Sequence, residues 1–226
     1  MNSNSHEPII LSIESSGPTC AVAVAAGDDL VAEYAIYGRT LHDRLLADLV
    51  RRIMADTHYE MDDLDAVAVS SGPGSFTGLR IGASLAKGLC FGGSPRLIGV
   101  PTLSALAISA GQSAKLAGCE SILTSIISYR DNIYYQEFSI DAAPKGEIIS
   151  ATIPDLDKFK DDKIFAVGTS FENNNEFHSI AQLNRLSASA IARAGYLYYK
   201  DEKFESEEDF VPLYVQEFQP KTKPGA

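Results

Sequence analysis

The spacing of hydrophobic residues first changes from strand-like to helical near residue 40, and this change limits the fold class. Three short apolar runs come first, at residues 9–13, 20–26 and 30–37, and turn-forming clusters separate them. From residue 41 to 56 the apolar residues instead recur at helical spacing. Short apolar runs joined by turns are typical of an antiparallel meander, so the chain is predicted to begin with three strands and a helix. Thr40, with Asp43 three residues later, is the predicted helix cap.

The same patterns continue along the chain and predict an order of βββαβαβα for the first half. A shorter βββαβα series follows, ending in a helix capped by Ser187, and two similar series indicate a duplication. The predicted fold is therefore α/β, with tandem RNase H-like lobes as in actin, Hsp70 and sugar kinases, at 1–103 and, in reduced form, 104–226. The later predicted elements are strands at 65–70, 97–100, 122–127, 133–140, 147–153 and 164–167, and helices at 77–91, 101–115, 155–159 and 188–199.

Charge argues against unaided binding of nucleic acid. The sequence has 19 Lys and Arg against 30 Asp and Glu, a net charge of −11, and Arg51-Arg52 is among its densest basic spots. Neutralising phosphates requires clustered cations, so tRNA or DNA is not expected to bind this chain directly.

The cysteines and the N-terminus indicate a cytoplasmic protein. Cys20, Cys90 and Cys119 are an odd, unclustered set, which favours a reducing compartment and idle thiols. Residues 1–7 are polar, and the apolar run that follows is too short for a signal peptide or a membrane span. No membrane association is expected.

The segment from Ser71 to Arg80 reads SGPGSFTGLR and joins a predicted strand to a predicted helix. Its glycines permit positive φ and close backbone approach, and free backbone N–H groups at a helix start can bind an anion. The alternative is a tight, capped turn with no ligand. The residues of this candidate loop site are Gly72, Pro73, Gly74, Ser75, Thr77, Gly78 and Arg80.

Established phosphate and nucleophile motifs do not match this loop. The glycine spacing is one residue longer than the dinucleotide fingerprint, and the sequence contains no P-loop and no G-x-S-x-G elbow. Ser84-x-x-Lys87 fits an acylase pattern without its companion motifs, so a helix surface is the preferred interpretation.

The helix after the loop carries two stripes. Gly78, Gly82, Ala86 and Cys90 recur every four residues, and an apolar stripe of Ile81, Leu85 and Leu89 runs beside them. Because glycine inside a helix costs roughly 1 kcal/mol relative to alanine, a close contact is expected to compensate. That contact is either the helix's own sheet or a docked partner. The predicted interface residues are His42, Leu45, Leu46, Leu49, Gly82, Ala86 and Cys90.

The remaining polar residues offer little catalytic chemistry. The histidines lack metal-ligand spacing, so no metal site and no catalytic residue is predicted. Glu14 ends the first strand and Asp131 lies in the corresponding turn of the second half, which allows a vestigial nucleotide site. A solvated strand end explains Glu14 equally well, and Asp131 is a type-I turn residue first and a nucleotide-site acid second. The alternative function is an actin-like ATPase or small-molecule kinase that uses these two acids with magnesium.

The stretch from Ser71 to Gly82, continued by Ala86-Lys87-Gly88-Leu89 and Gly99-Val100, resembles the TsaB (YeaZ) family. His42 with Arg44-Leu45-Leu46 resembles the start of that family's first helix, and residues 212–215 resemble its C-terminal segment. The resemblance is strong from 40 to 100 and weak afterwards.

This resemblance implies a noncatalytic partner of TsaD, the transferase that threonylcarbamoylates the adenosine beside the anticodon of tRNAs reading ANN codons. It implies pairing through the helices at 41–56 and 77–91, with TsaD or with a second copy, and contact with a TsaE-like ATPase through the complex. It implies no cofactor of its own, ATP or ADP at the interface with partners, and only indirect contact with tRNA.

One difference from TsaD and two departures from the TsaB family pattern bear on the chemistry. TsaD has a metal-binding His-x-x-x-His where this chain has Thr102 and Leu106, and neither side chain can hold a transition metal there. The family's Asp-Thr-Ser is replaced by Glu14-Ser15-Ser16, and its Asp-Ala-Arg by Ser128-Tyr129-Arg130. Both replacements weaken any nucleotide site built by this chain alone.

Overall fold

A computed structural model describes residues 7–38, 42–172 and 174–215. The first lobe is a five-stranded sheet with the spatial order β3-β2-β1-β4-β5. Strand β1 is antiparallel to β2 and parallel to β4, as a meander followed by βα crossovers requires. The strands are β1 (Ile9–Glu14), β2 (Thr19–Ala26), β3 (Asp29–Tyr37), β4 (Ala66–Gly72) and β5 (Arg96–Pro101), and the helices are α1 (His42–Thr57), α2 (Phe76–Cys90), α3 (Thr102–Leu116) and α4 (Ala188–Lys200).

Helices cover both faces of this sheet, which explains why β1 and β4 are buried along their whole length. Alternate residues of β1 point to opposite faces: Leu11 packs in the core beneath α1 and α2, whereas Ile10 packs beneath α3 and α4. Helix α1 lies over β2 and β3, and α2 lies over β4 and β5. These two helices therefore lie side by side on one face of the lobe.

The second lobe has a four-stranded sheet with the order β8-β7-β6-β9. The predicted series is confirmed in reduced form, because the helix expected at 155–159 is a 3₁₀ helix at Ile153–Phe159, and β8 is shorter than predicted. Ser187 caps α4 as predicted, since its hydroxyl accepts a hydrogen bond from the Ala190 N–H. The strands are β6 (Ser121–Tyr129), β7 (Asn132–Ser139), β8 (Ile149–Thr152) and β9 (Ile164–Val167).

The division of the chain into lobes at 103/104 is too simple. Helix α4 belongs to the sequence of the second lobe, but Ile191 and Ala194 pack on the first sheet with Ile10 and Val100. The chain beyond α4 also returns to the first lobe, where the Glu205 N–H donates to the Leu97 carbonyl. The last helix and the segment after it are thus structural parts of the first lobe.

The predicted start of α1 is only partly described. Thr40 and Leu41, and with them the predicted cap, lie outside the described residues, and the helix is described from His42. In the described ranges, no helix is both long and apolar enough to cross a membrane.

Candidate functional site

The glycine loop packs against the turn between β1 and β2. The Ser75 N–H donates to the Ser16 carbonyl at 2.6 Å. A Cβ at Gly74 would collide with that same carbonyl, and a Cβ at Gly78 with the Ser15 carbonyl. Only Gly72 needs a left-handed backbone, with φ +105°. The loop glycines therefore serve mainly close backbone approach within the first lobe.

This packing changes the interpretation of the loop as a ligand site. Ser75 is the N-cap of α2, because its hydroxyl accepts from the Gly78 N–H at 3.3 Å. The space against Gly74 and Gly78, where the sequence allowed an anion, is filled by the chain's own turn at Ser15 and Ser16. The structure thus shows a capped strand-to-helix turn that joins two parts of one lobe.

The close approach predicts opposite effects for two glycines of the same helix. Gly78→Ala should destabilise the protein by about 1–3 kcal/mol, because its Cβ meets a backbone carbonyl that cannot move freely. Gly88→Ala should stabilise it by about 0.5–1 kcal/mol, because Gly88 has open space around it and alanine is the better helix former. Urea unfolding of both variants measures the two effects, and equal effects would contradict the packing described.

Glu14 is enclosed in the first lobe, with 1% of its surface exposed. Its Oε1 accepts from the Ser16 N–H and the Ser16 hydroxyl, both at 2.6 Å. Burial raises the pKa of this carboxyl from 4.5 to about 7, although the hydrogen bonds from Ser16 oppose the shift. A carboxyl so enclosed orders the β1–β2 turn through Ser16, and its role in a vestigial nucleotide site stays a prediction.

The other acid of the predicted nucleotide site lies elsewhere. Asp131 is exposed in the hairpin between β6 and β7, where its carbonyl accepts from the Ile153 N–H. Thr102 and Leu106, which the resemblance matches to metal-binding histidines, are buried at the start of α3. In the part of the chain that the structure describes, no three His, Cys, Asp or Glu side chains are grouped to hold a metal.

The three cysteines are free and buried. Burial raises the pKa of Cys20 to about 11 and that of Cys90 to about 12. Since the thiolate is the reactive form, these side chains are inert at neutral pH, as the sequence analysis expected.

The small-residue stripe of α2 faces inward. Gly82 lies against Ser15 and Val69, and Ala86 and Cys90 belong to the core beneath the helix. Leu46 of α1 is buried in the same core. The assignment of Gly82, Ala86, Cys90 and Leu46 to an exposed interface is therefore wrong: the contact that compensates for the helical glycines is the helix's own sheet.

The remaining predicted interface residues lie on or near β2 and β3. His42 is buried, and its Nε2 lies 2.9 Å from the Thr19 carbonyl, so this nitrogen donates to β2. Arg52 and Asp56 contact Tyr34 of β3, and Leu49 shares their side of α1 by helical spacing. Leu45 and Leu49 are half-buried there. Whether they touch a partner stays a prediction.

The apolar stripe of α2 is the exposed one. Ile81, Leu85 and Leu89 pack against the core only in part and remain half-exposed. They lie on the side of α2 toward α1, because Arg80 and Lys87 occupy another side and contact the segment at 204–215. We call the exposed sides of α1 and α2, with these three residues at their apolar centre, the helical face.

Residues 204–215 form a strap that the sequence analysis did not foresee. The strap passes the edge of β5, where Phe210 fills the space left by Gly99. The Lys87 ammonium donates to the Phe210 carbonyl at 3.2 Å, which explains the lysine of the rejected acylase pattern. Farther on, the Leu213 N–H donates to the Ser71 carbonyl at 2.7 Å. The strap thereby ends beside the glycine loop.

Comparison with known proteins identifies the family. The family model described as "TsaD: tRNA N6-adenosine threonylcarbamoyltransferase" matches residues 37–160, more than half of the chain. The TsaB protein of Haemophilus influenzae is 27% identical over 201 residues, which cover 84% of this chain and 82% of that protein. The chain belongs to the TsaB (YeaZ) family. A second TsaB, from Escherichia coli, is 31% identical over 58% of this chain and 55% of its own length.

The solved structures agree on the fold. YeaZ from Pseudomonas aeruginosa superimposes with a TM-score of 0.76 over 92% of this chain and 100% of its own, at 20% identity. A likeness at this identity shows the fold alone. The two sheets of this chain and this superposition confirm the predicted fold of two RNase H-like lobes, the second reduced.

Proposed function

We propose that this chain is a noncatalytic subunit that pairs with a TsaD-like transferase and supports threonylcarbamoylation of the adenosine beside the anticodon in ANN-decoding tRNAs. Curated relatives along most of the chain are named tRNA threonylcarbamoyladenosine biosynthesis protein TsaB. The family model of the transferase matches this chain across both helices of the helical face and the glycine loop. These matches support the pathway and the choice of partner.

The observation that carries the pairing is the half-exposed apolar centre of the helical face. Ile81, Leu85 and Leu89 are spaced by four residues, so they form one continuous ridge on α2. Two related chains that share a fold can join through equivalent surfaces around a pseudo-twofold axis, as identical chains do around a true one. Such a ridge suits a helix-to-helix interface, because the side-chain ridges on the helices of one subunit can pack into the grooves between side chains on the helices of the other.

The absence of catalysis is supported by the chemistry of the described residues. Thr102 and Leu106 offer no metal ligand, and Glu14 is enclosed with its carboxyl bonded to Ser16. The same enclosure disfavours the alternative ATPase or kinase, since its two acids would have to meet at one ligand. We therefore place the transfer chemistry on the partner.

The remaining partners follow from this proposal. The net charge of −11 favours tRNA bound by other subunits. Self-pairing uses the same helical face, so a homodimer competes with the heterodimer. A TsaE-like ATPase joins through the complex, and ATP or ADP binds at the interface between subunits.

The pairing is tested with Leu85→Arg. An arginine on the ridge places a charge in the desolvated centre of the interface, so the Kd for the purified transferase should rise by about 100-fold or more, measured by isothermal titration calorimetry. The stability of the free chain should change little, because Leu85 is half-exposed.

Leu197→Arg is the matched control. Leu197 is also a partly exposed helical leucine, with 38% exposure, but it lies on α4, which packs on the opposite face of the sheet. This variant should bind the transferase as the wild type does. Equal affinity of wild type and Leu85→Arg for the transferase would refute the helical face as the pairing surface. Equal weakening of binding by Leu85→Arg and Leu197→Arg would show a nonspecific effect of the added charge.

A further inference from the structure

We infer that Arg80 is a preorganised anchor for a carboxylate of the partner subunit, held in place by an aromatic bracket that α2 and the strap build together. This inference rests on the proposed function, because the carboxylate belongs to the transferase that docks on the helical face. It adds a polar contact at the edge of that face.

The bracket consists of Phe76 and Tyr214. The Arg80 guanidinium lies over the Phe76 ring, with its central carbon 4.1 Å from the ring centroid. The Phe76 and Tyr214 rings pack with centroids 5.0 Å apart. The Arg80 Nε donates to the Tyr214 hydroxyl at 3.4 Å. An exposed arginine normally loses rotamer freedom when it binds, and this bracket has already restricted that freedom.

The guanidinium is held without a charged partner. Its Nε is used by Tyr214, and among the described residues no carboxylate lies within ion-pair distance of its two terminal nitrogens. By contrast, Arg51 and Arg52 of the neighbouring helix are paired with Asp48 and Asp56. The two terminal nitrogens of the guanidinium can each direct one N–H, in a fixed plane, at one of the two oxygens of a carboxylate.

A protein carboxylate fits this site better than an RNA phosphate. The chain carries a net charge of −11, which repels a polyanion such as tRNA but does not prevent one bidentate contact inside a protein interface. Arg80 lies one residue before Ile81, about 100° around the helix from it, so the anchor lies at the edge of the helical face that is farther from α1. Arginine and aromatic residues beside an apolar centre are the composition found at the strongest contacts of protein interfaces.

The test compares Arg80→Met with Arg185→Met in calorimetric titrations of the full chain with the transferase. Methionine keeps the apolar stem and removes the charge. Arg185 is the matched control, since it also lies over an exposed tyrosine, Tyr37, but lines a groove with residues of α3 and α4, on the face of the sheet opposite the helical face. Arg80→Met should raise the Kd about tenfold and flatten its dependence on salt concentration, whereas Arg185→Met should change neither.

A second pair of variants tests the bracket. Phe76→Leu removes the ring beneath the guanidinium and should weaken binding in the same direction as Arg80→Met, but less. Combined with Arg80→Met it should add almost nothing, because both changes act on one contact. If the losses of binding free energy in the two single variants added up in the double variant, Phe76 and Arg80 would act independently, and the bracket would be refuted.

Each outcome separates this inference from the proposed function. If Leu85→Arg abolishes binding while Arg80→Met leaves both Kd and salt dependence unchanged, the helical face stands and the anchor is refuted. If the wild type does not bind the transferase, the proposed function fails and the anchor fails with it. If Arg80→Met binds the transferase normally but the complex loses affinity for tRNA, the ligand is a phosphate and the carboxylate assignment is overturned.

Discussion

Ala86→Arg should prevent the chain from folding. Ala86 is fully buried in the core between α2 and the sheet, among Val67, Val69 and Ala83. An arginine there must either bury an unpaired charge or push α2 off β4, and each costs several kcal/mol. The expected loss of about 5 kcal/mol or more is comparable with the whole stability of an ordinary domain.

Gly88→Arg is the control for Ala86→Arg. Gly88 lies two residues farther along α2, exposed and with nothing near its Cβ position, so an arginine there should leave the fold intact. Circular dichroism and urea unfolding report both variants. A well-folded Ala86→Arg protein that had lost only its partner would contradict the inward orientation of the small-residue stripe.

Glu14→Gln should remove a large pH dependence of stability. The pKa of this carboxyl is raised from 4.5 to about 7 in the folded state, so the folded chain holds the proton more tightly than the unfolded chain does. The protonated carboxyl therefore contributes its full stabilisation of the folded chain below pH 4.5, and this contribution is lost as the pH rises to 7. At 1.36 kcal/mol per pKa unit, this loss amounts to about 3 kcal/mol.

The measurement is the free energy of unfolding in urea at pH 5 and at pH 8. Glutamine stays neutral and its Oε1 can still accept from Ser16, so the variant should be the more stable protein at pH 8 and nearly equal to wild type at pH 5. Glu147→Gln, at an exposed position, should leave the wild-type difference unchanged. An equal pH dependence in wild type and Glu14→Gln would show that burial does not shift this group.

Most of the fold could be predicted because hydrophobic spacing reports on each element locally. The three apolar runs before α1 and the helical spacing after them set the order of elements, and that order is confirmed. The assignment of α4 to the second lobe was wrong because sequence order does not show which sheet a helix packs on. Ala194 and Ile191 would suit either core.

The site was harder to predict than the fold. A stripe of glycine and alanine shows that something approaches α2 closely, but not from which side, and Gly82 proved to face Ser15. Glu14 looked like a ligand because it ends a strand, and only the tertiary structure shows its carboxyl turned onto Ser16. The hydrophobic residues of the strap follow neither helical nor alternating spacing, so no local pattern predicts that Tyr214 contacts Arg80.

We propose that this chain supports the chemistry of a partner and performs none itself. The most direct measurement is the formation of threonylcarbamoyladenosine in tRNA by the transferase, with its substrate supplied, in the presence and absence of this chain. We expect product from the two proteins together, little from the transferase alone and none from this chain alone, with Leu85→Arg unable to replace the wild type. Product from this chain alone, or full activity of the transferase without it, would contradict the account.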